Sequence, residues 1–184
     1  MLEGYLKIIC GCMYAGKSTE LLKEIQKYTH LKKNIMVINH IYDDRHGTKS
    51  LSTHDGKTYE DCIIAEELTE IKIKYKEQYE SADVIIVNEL QFFKDCYKVI
   101  IDWLDNDCKT IICAGLDGDY LKEPFGDLVK LIPHCDDIVK LKSYCNICNN
   151  GTGALFSKKI INDGKLISVG GEGKYIPVCR THYK

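Results

Sequence analysis

The chain has 184 residues, 25 basic and 27 acidic, with a formal charge of -2, which fits one globular unit or one with a small appendage. A content of 45% hydrophobic and 28% charged residues excludes disordered, fibrous and collagen-like classes. Residues 1–129 carry 16 basic and 23 acidic side chains and residues 130–184 carry 9 and 4, so the surplus in the last third is too small to argue for a nucleic-acid surface.

Tyr5-Leu6-Lys7-Ile8-Ile9-Cys10 reads as a buried strand stopped by Gly11. A helix is expected from Ser18 or Thr19, with Leu21, Leu22, Ile25 and Tyr28 on one face and an end at Asn34. Ile35-Met36-Val37-Ile38, Val84-Ile85-Ile86-Val87 and Thr110-Ile111-Ile112-Cys113-Ala114 are three further apolar strands, and Val99, Ile100, Trp103 and Leu104 mark an amphipathic helix between the last two. Continuous apolar strands alternating with helices predict an α/β fold: a parallel sheet covered on both faces, with ligands at the carboxyl ends of its strands. After Pro133 the helical period disappears. Ile138-Val139-Lys140-Leu141, Ala154-Leu155-Phe156 and Leu166-Ile167-Ser168-Val169 become short strand candidates among glycines and asparagines. The expected division is a nucleotide-binding domain over 1–133 and a small domain over 134–184, too short to bury enough apolar surface without a staple. No apolar run approaches the roughly 18 residues of a membrane span, and Met1-Leu2-Glu3-Gly4-Tyr5 lacks the features of a secretion leader. A cytoplasmic protein without membrane contact is expected.

Gly11-Cys12-Met13-Tyr14-Ala15-Gly16-Lys17-Ser18 has the spacing G-x-x-x-x-G-K-S between a strand and a helix. In such a loop, backbone amides point at phosphate oxygens, the helix start adds positive potential and the lysine reaches the outer phosphates. This predicts binding of a nucleoside triphosphate, with Lys17 on phosphate and Ser18 on magnesium. The third apolar strand runs into Asn88-Glu89-Leu90-Gln91-Phe92-Phe93. Phosphate-loop enzymes usually carry an aspartate there. Asn88 brings no charge, so it is expected to hold magnesium only through a water. Glu89 in the mouth of the site is a candidate general base for an attacking hydroxyl, its alternative being a solvated carboxylate at a strand end. Gln91, Phe92 and Phe93 suit either helix entry and core or the stacking of a base.

Ten cysteines in a chain expected to stay reduced suggest metal wherever they cluster. Cys145-Asn146-Ile147-Cys148 and Cys179-Arg180-Thr181-His182 are two ligand pairs at zinc-ribbon spacing, a closed tetrahedral set that predicts a structural zinc. Cys10, Cys62, Cys96, Cys108, Cys113 and Cys135 read as buried thiols packed as small hydrophobes.

Taken together these motifs resemble the type II thymidine kinases, cellular and viral. The residues that carry the likeness are the phosphate loop 11–19, the acid strand through Phe93, Ala114-Gly115-Leu116-Asp117-Gly118-Asp119-Tyr120, Lys122-Glu123-Pro124-Phe125-Gly126, the two zinc pairs and Val169-Gly170-Gly171-Glu172-Gly173-Lys174-Tyr175. The resemblance implies a RecA-like P-loop sheet with a zinc-ribbon domain carrying a lasso loop, and transfer of the outer phosphate of ATP to the 5'-hydroxyl of thymidine. Glu89 is then the base, Lys17 the phosphate ligand and Arg45 the charge stabiliser. It further implies that ATP lies against Gly11, Met13, Tyr14, Ala15, Gly16, Lys17, Ser18, Thr19, Asn88 and Gln91. The thymidine pocket it implies comprises Met13, Phe92, Leu116, Tyr120, Ser157 and Tyr175, with the backbone at Val169, Gly170 and Gly171 reading the base edge. A homotetramer and feedback by dTTP are implied as well. Cys12 in place of a common proline and Asn88 in place of aspartate depart from the family pattern. Two rival readings are a recombinase-type ATPase in which Glu89 activates water, and a zinc-ribbon binding module on a degenerate nucleotide fold.

Overall fold

A computed structural model describes residues 3–43, 50–52, 56–161 and 173–184. In chain order it contains β1 (Tyr5–Gly11), α1 (Lys17–His30), β2 (Ile35–His40), β3 (Leu51–Ser52), β4 (Thr58–Tyr59), β5 (Cys62–Ala65), α2 (Ile71–Lys74), α3 (Lys76–Ser81), β6 (Val84–Val87), α4 (Cys96–Asp105), β7 (Thr110–Gly115), β8 (Asp137–Leu141), β9 (Ser143–Tyr144), β10 (Gly153–Ala154), β11 (Phe156–Lys159) and β12 (Tyr175–Val178). Six strands form one sheet in the order β5-β2-β6-β7-β1-β8, and every pair in it is parallel.

Strand alternation explains the two covered faces. Leu6, Ile8, Met36, Ile38, Ile85, Val87, Ile111 and Cys113 pack on one side with Ile100, Trp103 and Leu104 of α4. Their neighbours Ile9, Val37, Val84, Ile86, Ile112 and Ala114 pack on the other with Leu21, Leu22 and Ile25 of α1. A period of two along each strand thus feeds two apolar layers, the signature of strands buried on both faces. Lys7 breaks the apolar run of β1, but its Nζ lies 2.6 Å from Oε1 of Glu24, a buried residue of α1. That hydrogen bond holds the Lys7 ammonium pKa above its ordinary value.

Several expectations change here. The helix starts at Lys17 and ends at His30, ahead of Asn34. β5 was not foreseen, because Cys62-Ile63-Ile64-Ala65 is only four residues long, yet it pairs with β2 as an edge strand. Ile138-Val139-Lys140-Leu141, expected in the small domain, belongs to β8 and pairs with β1 in the large sheet. A division after residue 133 would cut that strand from its partner. Gly11 permits this pairing, because a Cβ there would lie 2.4 Å from the Leu141 carbonyl oxygen. Ala154 and Phe156 fall in two separate short strands, β10 and β11, and Leu166-Ile167-Ser168-Val169 lies outside the described residues. Of the six cysteines expected in the core, Cys108 is exposed and Cys135 is half-buried.

β9 pairs with β10 and β11 with β12, both antiparallel. These hairpins share a third apolar cluster: Cys145, Ala154, Val178 and Cys179 pack with Cys12 and Ala15 of the loop after β1.

Candidate functional site

Because the large sheet is all parallel, the loops leaving β1, β2, β6 and β7 open at one end. β1 ends at Gly11, and the loop after it carries Met13, Tyr14, Ala15 and Gly16 and passes into the first turn of α1 at Lys17, Ser18 and Thr19. Gly16 (φ 85) and Tyr14 (φ 63) adopt left-handed backbone, the curl that turns successive amides inward. Lys17 Nζ donates to the Cys12 carbonyl at 2.8 Å, folding the ammonium back over the loop. The small unit holds the same loop from outside. Ser157 Oγ accepts from the Met13 amide at 2.9 Å, and Cys12 Sγ donates to the Ala154 carbonyl at 3.5 Å. Burial pushes the Cys12 thiol up, which keeps it protonated and able to donate.

β6 ends at Val87, and Glu89 then takes φ 53, ψ 40 before a 3-10 turn over Leu90–Phe92. A side-chain-bearing residue in the left-handed region costs about 1–2 kcal/mol. The bend is held by Gln91, whose Nε2 donates to Glu89 Oε2 at 2.6 Å while its Oε1 accepts from the Leu116 amide at 2.9 Å. Gln91 is itself buried. Gly115 leaves it room, since a Cβ there would meet Gln91 Oε1 at 2.6 Å. Glu89 is half-buried, neither sealed in the core nor fully solvated.

Asn88 is buried beside Asn39 at the end of β2. Its Nδ2 donates to Asn39 Oδ1 at 3.0 Å and to Asp43 Oδ2 at 3.3 Å. Asn39 Nδ2 also donates to Asp43 Oδ2, at 2.9 Å. Neither Asn39 nor Asp43 was singled out from sequence. The available signal was a polar residue ending an apolar strand at the ligand-bearing edge of a parallel sheet.

The two phenylalanines part company. Phe93 is core, edge-on to His40 with centroids 4.6 Å apart. Phe92 is half-buried and edge-on to Phe125 and to Tyr42 at 5.5 and 5.6 Å. Met13, Leu116, Tyr120 and Tyr175 are half-buried, and Ser157 is buried on β11. The Tyr183 hydroxyl donates to the Tyr120 carbonyl, and Lys122 Nζ sits 4.0 Å from the Tyr183 ring centroid. This ties the loop after β7 to the chain end beside His182. Arg45, Val169, Gly170 and Gly171 lie outside the described residues.

Cys145, Cys148, Cys179 and His182 converge, their ligand atoms all within 4.8 Å of one another. Cys148 and Cys179 sulfurs are 3.8 Å apart, and His182 Nδ1 lies 3.6, 3.2 and 3.5 Å from the sulfurs of Cys145, Cys148 and Cys179. A tetrahedron with metal–sulfur bonds of about 2.3 Å has sulfur–sulfur edges of about 3.8 Å, so the four donors fit a closed metal site with no further protein ligand needed. Burial raises the Cys145 thiol, but backbone amides of Cys148 and Cys179 and the His182 ring outweigh it and bring it down to about 5. Thiolate is the ligand form.

A sequence profile of the family described as "Thymidine kinase" matches residues 4–183. Among similar proteins, the thymidine kinase of Choristoneura fumiferana entomopoxvirus is 42% identical over 181 residues, covering 97% of this chain and 95% of its own. That of Pseudothermotoga lettingae is 37% identical over 183 residues, covering 99% and 96%. The rice (Oryza sativa subsp. japonica) thymidine kinase is 37% identical over 182 residues, covering 98% of this chain and 66% of its own. With the profile covering residues 4–183 and relatives 37–42% identical over nearly all of this chain, it belongs to the thymidine kinase family.

Proposed function

We propose that the protein transfers the terminal phosphate of ATP to the 5'-hydroxyl of thymidine, and of deoxyuridine, giving dTMP and ADP. Glu89 accepts the hydroxyl proton as the oxygen attacks the outer phosphorus in line, and the bond to the ADP oxygen breaks. The observation that carries this reading is the left-handed turn at Glu89 with its side chain fixed by Gln91, because costly backbone is retained where it positions a reacting group. Lys17 leaves the Cys12 carbonyl for the phosphates when ATP binds. The amides of residues 11–19 cradle those phosphates, with Tyr14, Ala15 and Thr19 in the loop and helix start, and Gln91 backs the acid strand. Ser18 and, through water, Asn88 would hold magnesium, which would supply positive charge to the phosphates. Arg45 stabilises charge in the transition state.

For the nucleoside, Met13, Phe92, Leu116 and Tyr120 form the apolar walls of the base pocket, with Ser157 and Tyr175 contributed by the small unit. Backbone groups at Val169, Gly170 and Gly171 read the base edge. Deoxycytidine presents the opposite donor and acceptor pattern on that edge and is rejected. The ion at Cys145, Cys148, Cys179 and His182 is a structural zinc. A homotetramer, dTTP feedback and a cytoplasmic location belong to the same proposal. Among the described residues no helix is long and apolar enough to cross a membrane.

The test is ADP release by purified protein with ATP, magnesium and each of the four deoxynucleosides in turn. The proposal expects release with thymidine and none above background with deoxycytidine or the purines. Equal ADP release with no nucleoside would favour the water-activating ATPase.

A further inference from the structure

β2 ends on His40, a buried histidine where the loops leaving β2, β5 and β6 meet. Both of its ring nitrogens are engaged. Nδ1 accepts from the Tyr42 amide at 3.0 Å. The ring also hydrogen-bonds the backbone at Glu66, just past β5, and because Nδ1 is already an acceptor this second bond is donated by Nε2. Bonds at two ring nitrogens fix the plane of the imidazole, which a hydrocarbon ring of similar size could not match.

Three aromatic rings pack on that fixed plane. Phe93 is edge-on at 4.6 Å, Tyr42 edge-on at 4.9 Å and Phe92 tilted at 5.4 Å between centroids. Tyr42 is also edge-on to Phe92 at 5.6 Å, and Phe125 adds a further edge at 5.5 Å. His40 is 2% exposed whereas Phe92 is half-buried, so the imidazole backs the covered side of Phe92 and leaves its open side free. Phe92 closes a single 3-10 turn, too short to supply helical neighbours that would steady its side chain.

We propose that His40, together with Tyr42, is the positioning residue that sets the angle of Phe92 against the nucleoside base, and so fixes the affinity for thymidine without touching it. This rests on the placement of Phe92 in the base pocket given above. A base gains from an aromatic ring only in a well-aligned contact, so a ring free to tilt gives up part of that gain. The fixed imidazole plane passes its orientation to Phe92 through direct ring contact, with Tyr42 holding the adjoining edge.

The experiment is steady-state kinetics of ADP release with the wild type, His40→Gln, Phe92→Leu and the double variant. Glutamine keeps a donor and an acceptor at position 40 but has no ring. His40→Gln is expected to raise the KM for thymidine about tenfold while kcat and the KM for ATP stay within about twofold, the pattern of lost binding rather than lost chemistry. The KM for deoxyuridine is expected to rise by the same factor, because stacking acts on the ring that the two bases share. Phe92→Leu is expected to raise the thymidine KM at least as far, and in that background His40→Gln is expected to add less than about twofold, because the residue it acts through is gone. Tyr42→Leu changes an exposed side chain and carries the same test if His40→Gln fails to fold. It is expected to raise the thymidine KM about threefold, and not to do so in the Phe92→Leu background.

An unchanged thymidine KM in His40→Gln overturns the proposal, as does one in Tyr42→Leu where His40→Gln does not fold. A rise of equal factor with and without Phe92 overturns it too, since His40 would then act by another route. So does a joint loss of kcat and ATP affinity, which would mark a role in the fold alone. Phe92→Leu with a wild-type thymidine KM defeats the reading of Phe92 as a base wall instead, and wild-type protein without thymidine-dependent ADP release defeats the broader reading of the site.

Discussion

Glu89 holds backbone that a glycine would adopt more cheaply, and the cost is met by Gln91, which grips its carboxylate and the Leu116 amide together. Replacing Gln91 with methionine keeps the bulk but frees the carboxylate. Turnover is expected to fall about 100-fold with the KM for ATP unchanged, as misplacing a reacting group by an ångström does; a rise in KM with normal turnover would assign Gln91 to binding. His40 offers a pH test. Burial holds its pKa below the ordinary 6.5, and its Nδ1 accepts the Tyr42 amide at 3.0 Å. Folded protein therefore binds fewer protons at this ring than unfolded chain does. The stabilising contribution is complete above pH 6.5 and is lost as pH falls through the folded value. Melting temperature is expected to drop between about pH 7.5 and pH 5.5, and to drop less in His40→Gln. Cys108, read from sequence as core, is exposed, so it is the thiol expected to react first with a maleimide in metal-loaded protein. Loss of the fast phase in Cys108→Ser checks this. The glutamate itself was legible because it stands two residues past the end of an apolar strand; the role of Gln91 was not, because its second partner is 25 residues away.

At the scale of elements, the phosphate loop is clamped from two sides. β1 and α1 give it its curl, and β10 and β11 hold it through Ala154 and Ser157. Ser157→Ala leaves the Met13 amide without its acceptor. ATP affinity is expected to fall about tenfold while bound zinc is unchanged; unaltered ATP affinity would show that the loop holds its shape unaided. The loop and its flanking strand and helix could be read locally, since the spacing of glycines, Lys17 and Ser18 is contiguous. The clamp could not, as Met13 and Ser157 stand 144 residues apart and nothing short-range links them. β8 was read as a strand, but its place in the large sheet escaped for a related reason: Asp137–Leu141 exposes Ile138 and buries no residue fully, so its run lacks the apolar continuity of the inner strands. An edge strand beside a phosphate loop is defined by its partner.

For the molecule as a whole, the metal site, the small unit's apolar cluster and the phosphate loop form one continuous structure, with Cys12 and Ala15 packed against Cys145 and Cys179. Removing the ion should therefore reach the nucleotide. Treatment with a strong zinc chelator is expected to lower the melting temperature by about 10 °C or more and to weaken ATP binding in the same sample. Full ATP affinity in metal-free protein would uncouple the two. The four ligands were legible as two pairs at fixed spacing, whereas their link to the phosphate loop through Cys12 and Ala15 needed coordinates.

The central claim is that Glu89 takes the proton from the nucleoside hydroxyl. Its most direct test is Glu89→Gln, assayed for thymidine-dependent ADP release alongside calorimetric ATP binding on the same preparation. The account predicts turnover reduced about 100- to 10,000-fold with ATP affinity retained. Wild-type turnover in that variant would contradict it.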